Sequence, residues 1–434
     1  MEPFKLPDDF MLGTATASLQ IEGGDRNNSW YRWAEQGHIK DGSHCVVACD
    51  HWNRVDEDIA LMKDLNSHTY RMSIEWSRIE PEKGKFDAGA MAHYRQEIGR
   101  LRGAGIVPLV TLHHFSNPLW FEDQGAWSNP ESVNLFERYA EYVVKNLADL
   151  VSDWVTINEP NVYAYSGYVL GEWPPGKSAI GEYLRVSRNM ILAHIRAYRQ
   201  IHEVRSKMGC GATMVGVAHH IRILDPKHGT WLERLIARLA DHLFHEVFVV
   251  GMSEGRLLPP VGRGYPLGRG RYSDYLGVNY YSREMVSLCR NPAMLFVKLD
   301  RNEGAPVNDL GWEIYPEGLY RVCRRYWERY RIPIWITENG TCDASDAIRA
   351  RFIYDHLWQV KKLIDDGVQV QRYYHWTLMD NFEWLEGFSA RFGLYETDFE
   401  TQKRTLRPSG RFYAQLSQYR AVTAEMLDFL GHGG

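Results

Sequence analysis

Residues 154–160 read Trp154-Val155-Thr156-Ile157-Asn158-Glu159-Pro160. Four residues with strand preference run into an amide, a carboxylate and a proline; proline cannot continue a ladder, so the run ends with Glu159 at a strand mouth. The same grammar recurs at Ile334-Trp335-Ile336-Thr337-Glu338-Asn339-Gly340, where glycine is the breaker. Six further short apolar runs lie outward from these two: Met11 to Thr16, Thr69 to Ile74, Val107 to Leu112, Met214 to Ala218, Tyr275 to Asn279 and Arg372 to Trp376. Between them lie helical patterns such as Val55, Ile59, Met62 and Leu65, whose spacing of three and four gathers apolar side chains on one face. Other helical stretches fall near 90–102, 132–149, 181–206, 231–250, 316–330, 347–365 and 410–420.

Eight alternations of strand and helix predict parallel strands with crossover helices, and hence an α/β chain folded as a single-domain (β/α)8 TIM barrel over residues 1–434. An open doubly wound sheet is the alternative, but no Gly-x-Gly-x-x-Gly turn follows the first strand to support it. The stretches Arg256 to Arg271 and Asn291 to Gly311 read as surface insertions in that one domain.

Lys and Arg number 50 against 55 Asp and Glu, a net charge of −5, which argues against a nucleic-acid or membrane-surface partner because either needs a concentrated basic face. The N-terminus lacks a basic stretch leading into an apolar core, and no apolar run reaches the roughly 20 residues that cross a bilayer. These features predict a cytoplasmic protein. Six cysteines in 434 residues make no disulfide scaffold, which suits a reducing compartment.

In such a barrel the chemistry collects at the C-terminal strand ends. The polar residues at those ends are Arg71, His113, His114, Asn158, Glu159, Asn279, Tyr281, Glu338 and Trp376. Two carboxylates facing one sugar-sized gap are the machinery of glycoside hydrolysis, inverting or retaining according to their separation. Arg71 is positioned to lower the pKa of a neighbouring carboxylate, while an acid partner must be raised by burial or by like charge.

Six segments, in order, carry a family resemblance: Phe10 to Gly23, Tyr70 to Ile79, Asn158-Glu159-Pro160, Gly277 to Ser282, Thr337 to Gly340, and Trp376 to Trp384. The chain resembles the β-glycosidases of glycoside hydrolase family 1 from about Phe10 to Phe412. The resemblance implies a retaining, exo-acting β-glycosidase, foremost a β-glucosidase with β-galactosidase or β-fucosidase activity, needing no cofactor and taking a small β-glycoside or oligosaccharide. It implies Glu159 as acid/base and Glu338 as nucleophile, in a pair about 5 to 5.5 Å apart. Asn158 is implied at the sugar 2-hydroxyl, and Arg71 and Tyr281 as the residues that hold the nucleophile. Gln20, His114, Trp376, Glu383, Trp384 and Phe392 are implied in the pocket for the non-reducing sugar, and Trp312 as the wall for the aglycone. Relatives acting on 6-phosphoglycosides usually carry Ser where Glu383 stands, and a carboxylate there repels phosphate, so an unphosphorylated sugar is expected. A transglycosylating enzyme and a non-catalytic sugar-binding barrel are the other readings.

One departure stands in His113-His114-Phe115-Ser116-Asn117, where most of that family has Trp after the second His; Phe115 keeps an aromatic floor without the indole donor. His44, Cys45, Cys49 and His51 have no matching downstream pair, so no metal is expected. His219 and His220 read as strand-end packing.

Overall fold

The computed structural model describes residues 1–289 and 297–431. Eight parallel strands close into a barrel: β1 (Met11–Ala15), β2 (Thr69–Ser73), β3 (Val107–His113), β4 (Asp153–Asn158), β5 (Met214–His220), β6 (Leu276–Asn279), β7 (Ile334–Asn339) and β8 (Val370–Trp376). Each strand pairs with its sequence neighbours, and β8 closes on β1 with Tyr374 opposite Gly13 and Trp376 opposite Ala15. All eight expected strands are present, with ends moved by a few residues. They are buried on both faces, which is why runs such as Val107 to His113 are nearly continuous in apolar and aromatic residues.

The crossover helices follow the predicted periodicity: Ala88–Gly103, Ser132–Leu147, Ile180–Lys207, Glu317–Tyr330, Arg349–Asp365 and Pro408–Tyr419. One stretch differs. The region expected as a single helix near 231–250 is a helix over Trp231–Asp241, a wider π-type turn over His242–Glu246, and a second helix over Val247–Glu254. Thr230 and Glu233 form a capping box that starts the first of these.

Outside the barrel, Ile223–Pro226, Arg283–Leu288 and Val297–Asp300 build a three-stranded sheet, so part of the second insertion is ordered structure; its residues 291–296 lie outside the described residues. Phe4–Lys5 and Ala421–Val422 pair antiparallel and tie the two ends together. Gly340 marks where β7 meets β8: a Cβ there would lie 1.9 Å from the carbonyl oxygen of Trp376. Among the described residues no helix is long and apolar enough to cross a membrane, and no cluster of three His, Cys, Asp or Glu could hold a metal ion.

Candidate active site

A cavity of about 830 Å³ opens at the C-terminal end of the barrel. Nine of the residues expected at the site line it: His114, Glu159, Tyr281, Trp312, Glu338, Trp376, Glu383, Trp384 and Phe392. The other three, Gln20, Arg71 and Asn158, lie immediately behind this lining, fully buried and hydrogen-bonded to it.

Glu338, the penultimate residue of β7, lies between two donors. Arg71 Nη1 donates to Oε1 at 2.5 Å and the Tyr281 hydroxyl to Oε2 at 2.6 Å. Arg71 rises from β2 and also donates to Thr111, to the Thr337 carbonyl and to Asn158 Oδ1, so one buried guanidinium ties together the mouths of β2, β3, β4 and β7. Glu159, just beyond β4, sits on a left-handed backbone (φ 42°) and starts a short helix with Pro160 in its first turn. Its Oε1 accepts from Asn279 Nδ2 at 2.8 Å and lies 3.2 Å from His220 Nδ1. Asn279 donates to Asn158 Oδ1 as well, so the chain Glu338–Arg71–Asn158–Asn279–Glu159 links the two carboxyls through hydrogen-bonded side chains.

Burial pushes both carboxyls up to about 7. At Glu159 the rise is opposed by the Asn279 hydrogen bond and by the charges of Arg71 and Arg222. At Glu338 it is opposed by Arg71 and Tyr281 and reinforced by the charge of Glu159. The expected lowering by Arg71 is therefore present but outweighed by desolvation. Two acids so coupled titrate as a pair. The first negative charge resides on Glu338, which alone faces a full cation at contact distance; Glu159 has only an amide and an imidazole beside it.

At the far end of the cavity, Gln20 Nε2 donates to Glu383 Oε2 at 3.0 Å and to the oxygens of Asn381 and Phe382, which fixes its amide orientation and turns Oε1 away from them. That oxygen is buried and makes no hydrogen bond within the protein. His114 is held neutral by burial, and Asn158 Nδ2 donates to its Nε2 at 3.0 Å, so the ring proton is on Nδ1, which is likewise buried and unpartnered. Burial, with the charge of Glu338 adding to it, pushes Glu383 up to about 8 against the Gln20 bond. The rise favours the protonated form, so the charge repulsion expected from Glu383 is weaker than the sequence alone implies.

Aromatic rings wall this end. His114 stacks between Trp376 and Trp384, with centroids at 5.9 and 5.8 Å, and Trp312 stands at the mouth beside Tyr281 and Phe392. Phe115 keeps its place as floor, edge-on to Trp384 and Trp173. Trp173 and His220 are among the lining residues that the sequence did not single out. Trp173 comes from a loop without a motif, and no sequence signal singles it out. His220 lines the cavity beside Glu159 and stacks over Tyr281, contrary to the packing role expected, whereas His219 is buried. Strand alternation sends two adjacent histidines to opposite sides, and only the fold says which side is the site.

The sequence model of glycosyl hydrolase family 1 matches residues 3–256 and 269–421. The chain belongs to that family. It is 32% identical to β-glucosidase A of Acetivibrio thermocellus, across 96% of this chain and 99% of that one, and 30% identical to a β-galactosidase of Pyrococcus woesei, across 98% and 100%. Its fold is similar to that of a β-glycosidase from Pyrococcus horikoshii, with TM-score 0.91 and 36% identity over 99% of both chains. The chain is accordingly a family 1 glycoside hydrolase, and retention of anomeric configuration is general to the family.

Proposed function

We propose that this family 1 enzyme is an exo-acting β-glucosidase that also accepts β-galactosides or β-fucosides, built as one catalytic unit in which Glu338 is the nucleophile and Glu159 the acid/base. The observation that carries the assignment is the asymmetry of the two carboxyls: a guanidinium and a phenol clasp Glu338, and neutral donors alone meet Glu159. An ionised Glu338 attacks the anomeric carbon while Glu159 gives its proton to the departing oxygen; Glu159 then takes a proton from the water that releases the sugar.

The non-reducing sugar occupies the closed end. Its hydroxyls supply a donor to Gln20 Oε1 and an acceptor to the His114 Nδ1 proton, two buried atoms otherwise without partners. Asn158 Oδ1 already accepts twice and one amide hydrogen goes to His114, so its second amide hydrogen is left for the sugar 2-hydroxyl. Lys40 and Arg222, which line the cavity, are paired with Glu386 and Glu284, so among the described residues no free Lys or Arg there awaits a phosphate and the sugar is unphosphorylated. Trp376 and Trp384 form the walls of the sugar pocket, Phe392 its edge and Trp312 the aglycone wall.

A panel of aryl β-glycosides differing only in the sugar tests the substrate assignment. Glucoside is expected to give the highest kcat/KM, and a 6-phosphoglucoside turned over faster than the glucoside would overturn it. Glu383→Ala should lower kcat/KM for the glucoside by roughly tenfold to a hundredfold, the worth of hydrogen bonds to an ionisable group. Asn279→Ala has a definite pH signature. The Asn279 bond lowers the pKa of Glu159, so its loss raises that pKa, keeps the acid protonated to higher pH, and moves the alkaline limb of the kcat/KM profile upward. A limb that stays put or moves down would exclude Glu159 as the group that limb reports.

A further inference from the structure

The helix Trp231–Asp241 presents an unusual outer edge. Trp231, Leu235 and Leu239, spaced four apart, are 76%, 54% and 55% exposed. The sheet beneath extends this edge. Val286 is buried, while Leu288, two residues on, and Leu299, its register partner across the ladder, share its side of the sheet and are 45% and 41% exposed. These five side chains come from a single helix-and-sheet module.

Beside the apolar edge the helix is basic. Arg234 and Arg238 are exposed and make no ion pair or side-chain hydrogen bond among the described residues. Its two acids are already engaged: Glu233 accepts from His228 and Thr230, and Asp241 takes two bonds from Arg325, at 3.0 and 2.6 Å. Arg234 and Arg238 overlook a groove of about 480 Å³ whose charged lining is five arginines against two aspartates, three positive charges in excess. The second aspartate, Asp225, is held by Arg321 through bonds of 2.7 and 2.8 Å. Arg222, another of the five, also lines the sugar cavity, so groove and active site share a wall.

We propose that this helix is an interfacial anchor that seats the enzyme on an anionic lipid surface. Trp231, Leu235 and Leu239 enter the boundary between headgroups and acyl chains, and Arg234 and Arg238 meet the lipid phosphates. An amphipathic helix with aromatic and leucine residues on one face and arginines flanking them has the chemistry of such a boundary. The attraction is local, since the whole chain carries −5. A second copy of the chain fits the face less well. The arginines of two copies, unpaired among the described residues, would face each other across it. Because Arg222 belongs to both walls, docking brings the active-site rim towards the lipid.

The test is co-sedimentation with vesicles of phosphatidylcholine alone and of equimolar phosphatidylcholine and phosphatidylglycerol. The parent is expected to pellet with the anionic vesicles and to be released by high salt. Arg234→Gln/Arg238→Gln should bind them about thirtyfold more weakly, at roughly fivefold per basic side chain near such a surface. Trp231→Ser/Leu235→Ser/Leu239→Ser should not pellet with either vesicle, while keeping the parent's Tm and its turnover of an aryl glucoside. The proposal is overturned if the parent stays in the supernatant with both vesicles, or if either variant pellets as the parent does. Inorganic phosphate protecting the groove arginines from a guanidine-directed reagent without vesicle binding would make this a free-anion site and overturn it. So would a dimer in sedimentation velocity that the triple variant abolishes.

Discussion

Replacing Glu338 by Ala is expected to lower kcat on an aryl β-glucoside by roughly a hundred-thousandfold, the scale at which loss of a covalent nucleophile is felt. The cavity keeps its shape in this variant. Arg71 still donates to Asn158, Thr111 and the Thr337 carbonyl, so its guanidinium retains most of its partners. It does lose its anion, and a buried cation left unpaired costs about 3 to 5 kcal/mol; the Tm must therefore be followed alongside the rate. Azide separates chemistry from misfolding. It fits the space vacated on the nucleophile's side and attacks the anomeric carbon once, with Glu159 protonating the departing oxygen, so the recovered product is the α-glycosyl azide. A β-azide from this variant, or parental turnover, would remove Glu338 from the role assigned to it.

Glu159→Ala is expected to behave in the opposite sense. A dinitrophenyl leaving group needs no proton, so formation of the glycosyl-enzyme should be little affected. An alkyl or phenyl glycoside should lose roughly a hundredfold to ten-thousandfold in kcat/KM, the usual contribution of a general acid. Azide now attacks the glycosyl-enzyme from the side Glu159 served, and two inversions give the β-glycosyl azide. The pH profile should change at its alkaline end. The alkaline limb disappears with the acid. The acid limb should stay near the parent's, because Glu338 loses its proton first, with Arg71 beside it, while Glu159 is still neutral. Equal losses on activated and unactivated leaving groups would contradict the assignment.

The two acids were legible in the sequence because each ends a local pattern, an apolar run stopped by proline or glycine, that needs no knowledge of the fold. The barrel was legible for a related reason: strands buried on both faces must be written as short continuous apolar runs, and the helices between them must carry a stripe. Arg71 was visible as a candidate but not as what it is. Its links to β3, β4 and β7 depend on barrel closure, which brings residues more than two hundred positions apart into contact. His220 was lost because His219 beside it has the same chemistry. The balance at Glu383 was lost for another reason, since residue type suggests a charge while burial sets whether it exists. The apolar and basic edge of Trp231–Asp241 was hidden by the composition, which averages over a surface that the fold divides.

Phe115, Glu159 and Trp384 all line the cavity, and all three adopt left-handed backbone conformations, with φ of 65°, 42° and 50°. An L-residue with a Cβ pays about 1 to 2 kcal/mol there, and glycine or asparagine far less. Phe115 and Trp384 are buried among other rings, and losing either aromatic would cost about 3 to 5 kcal/mol, more than the backbone returns. Heat selection applied to this enzyme without an activity screen should therefore enrich glycine or asparagine at Glu159, releasing stored backbone energy while taking away the acid. The most thermostable descendants of such a selection would be intact barrels with no turnover, so in this fold thermal survival and catalysis must be scored together.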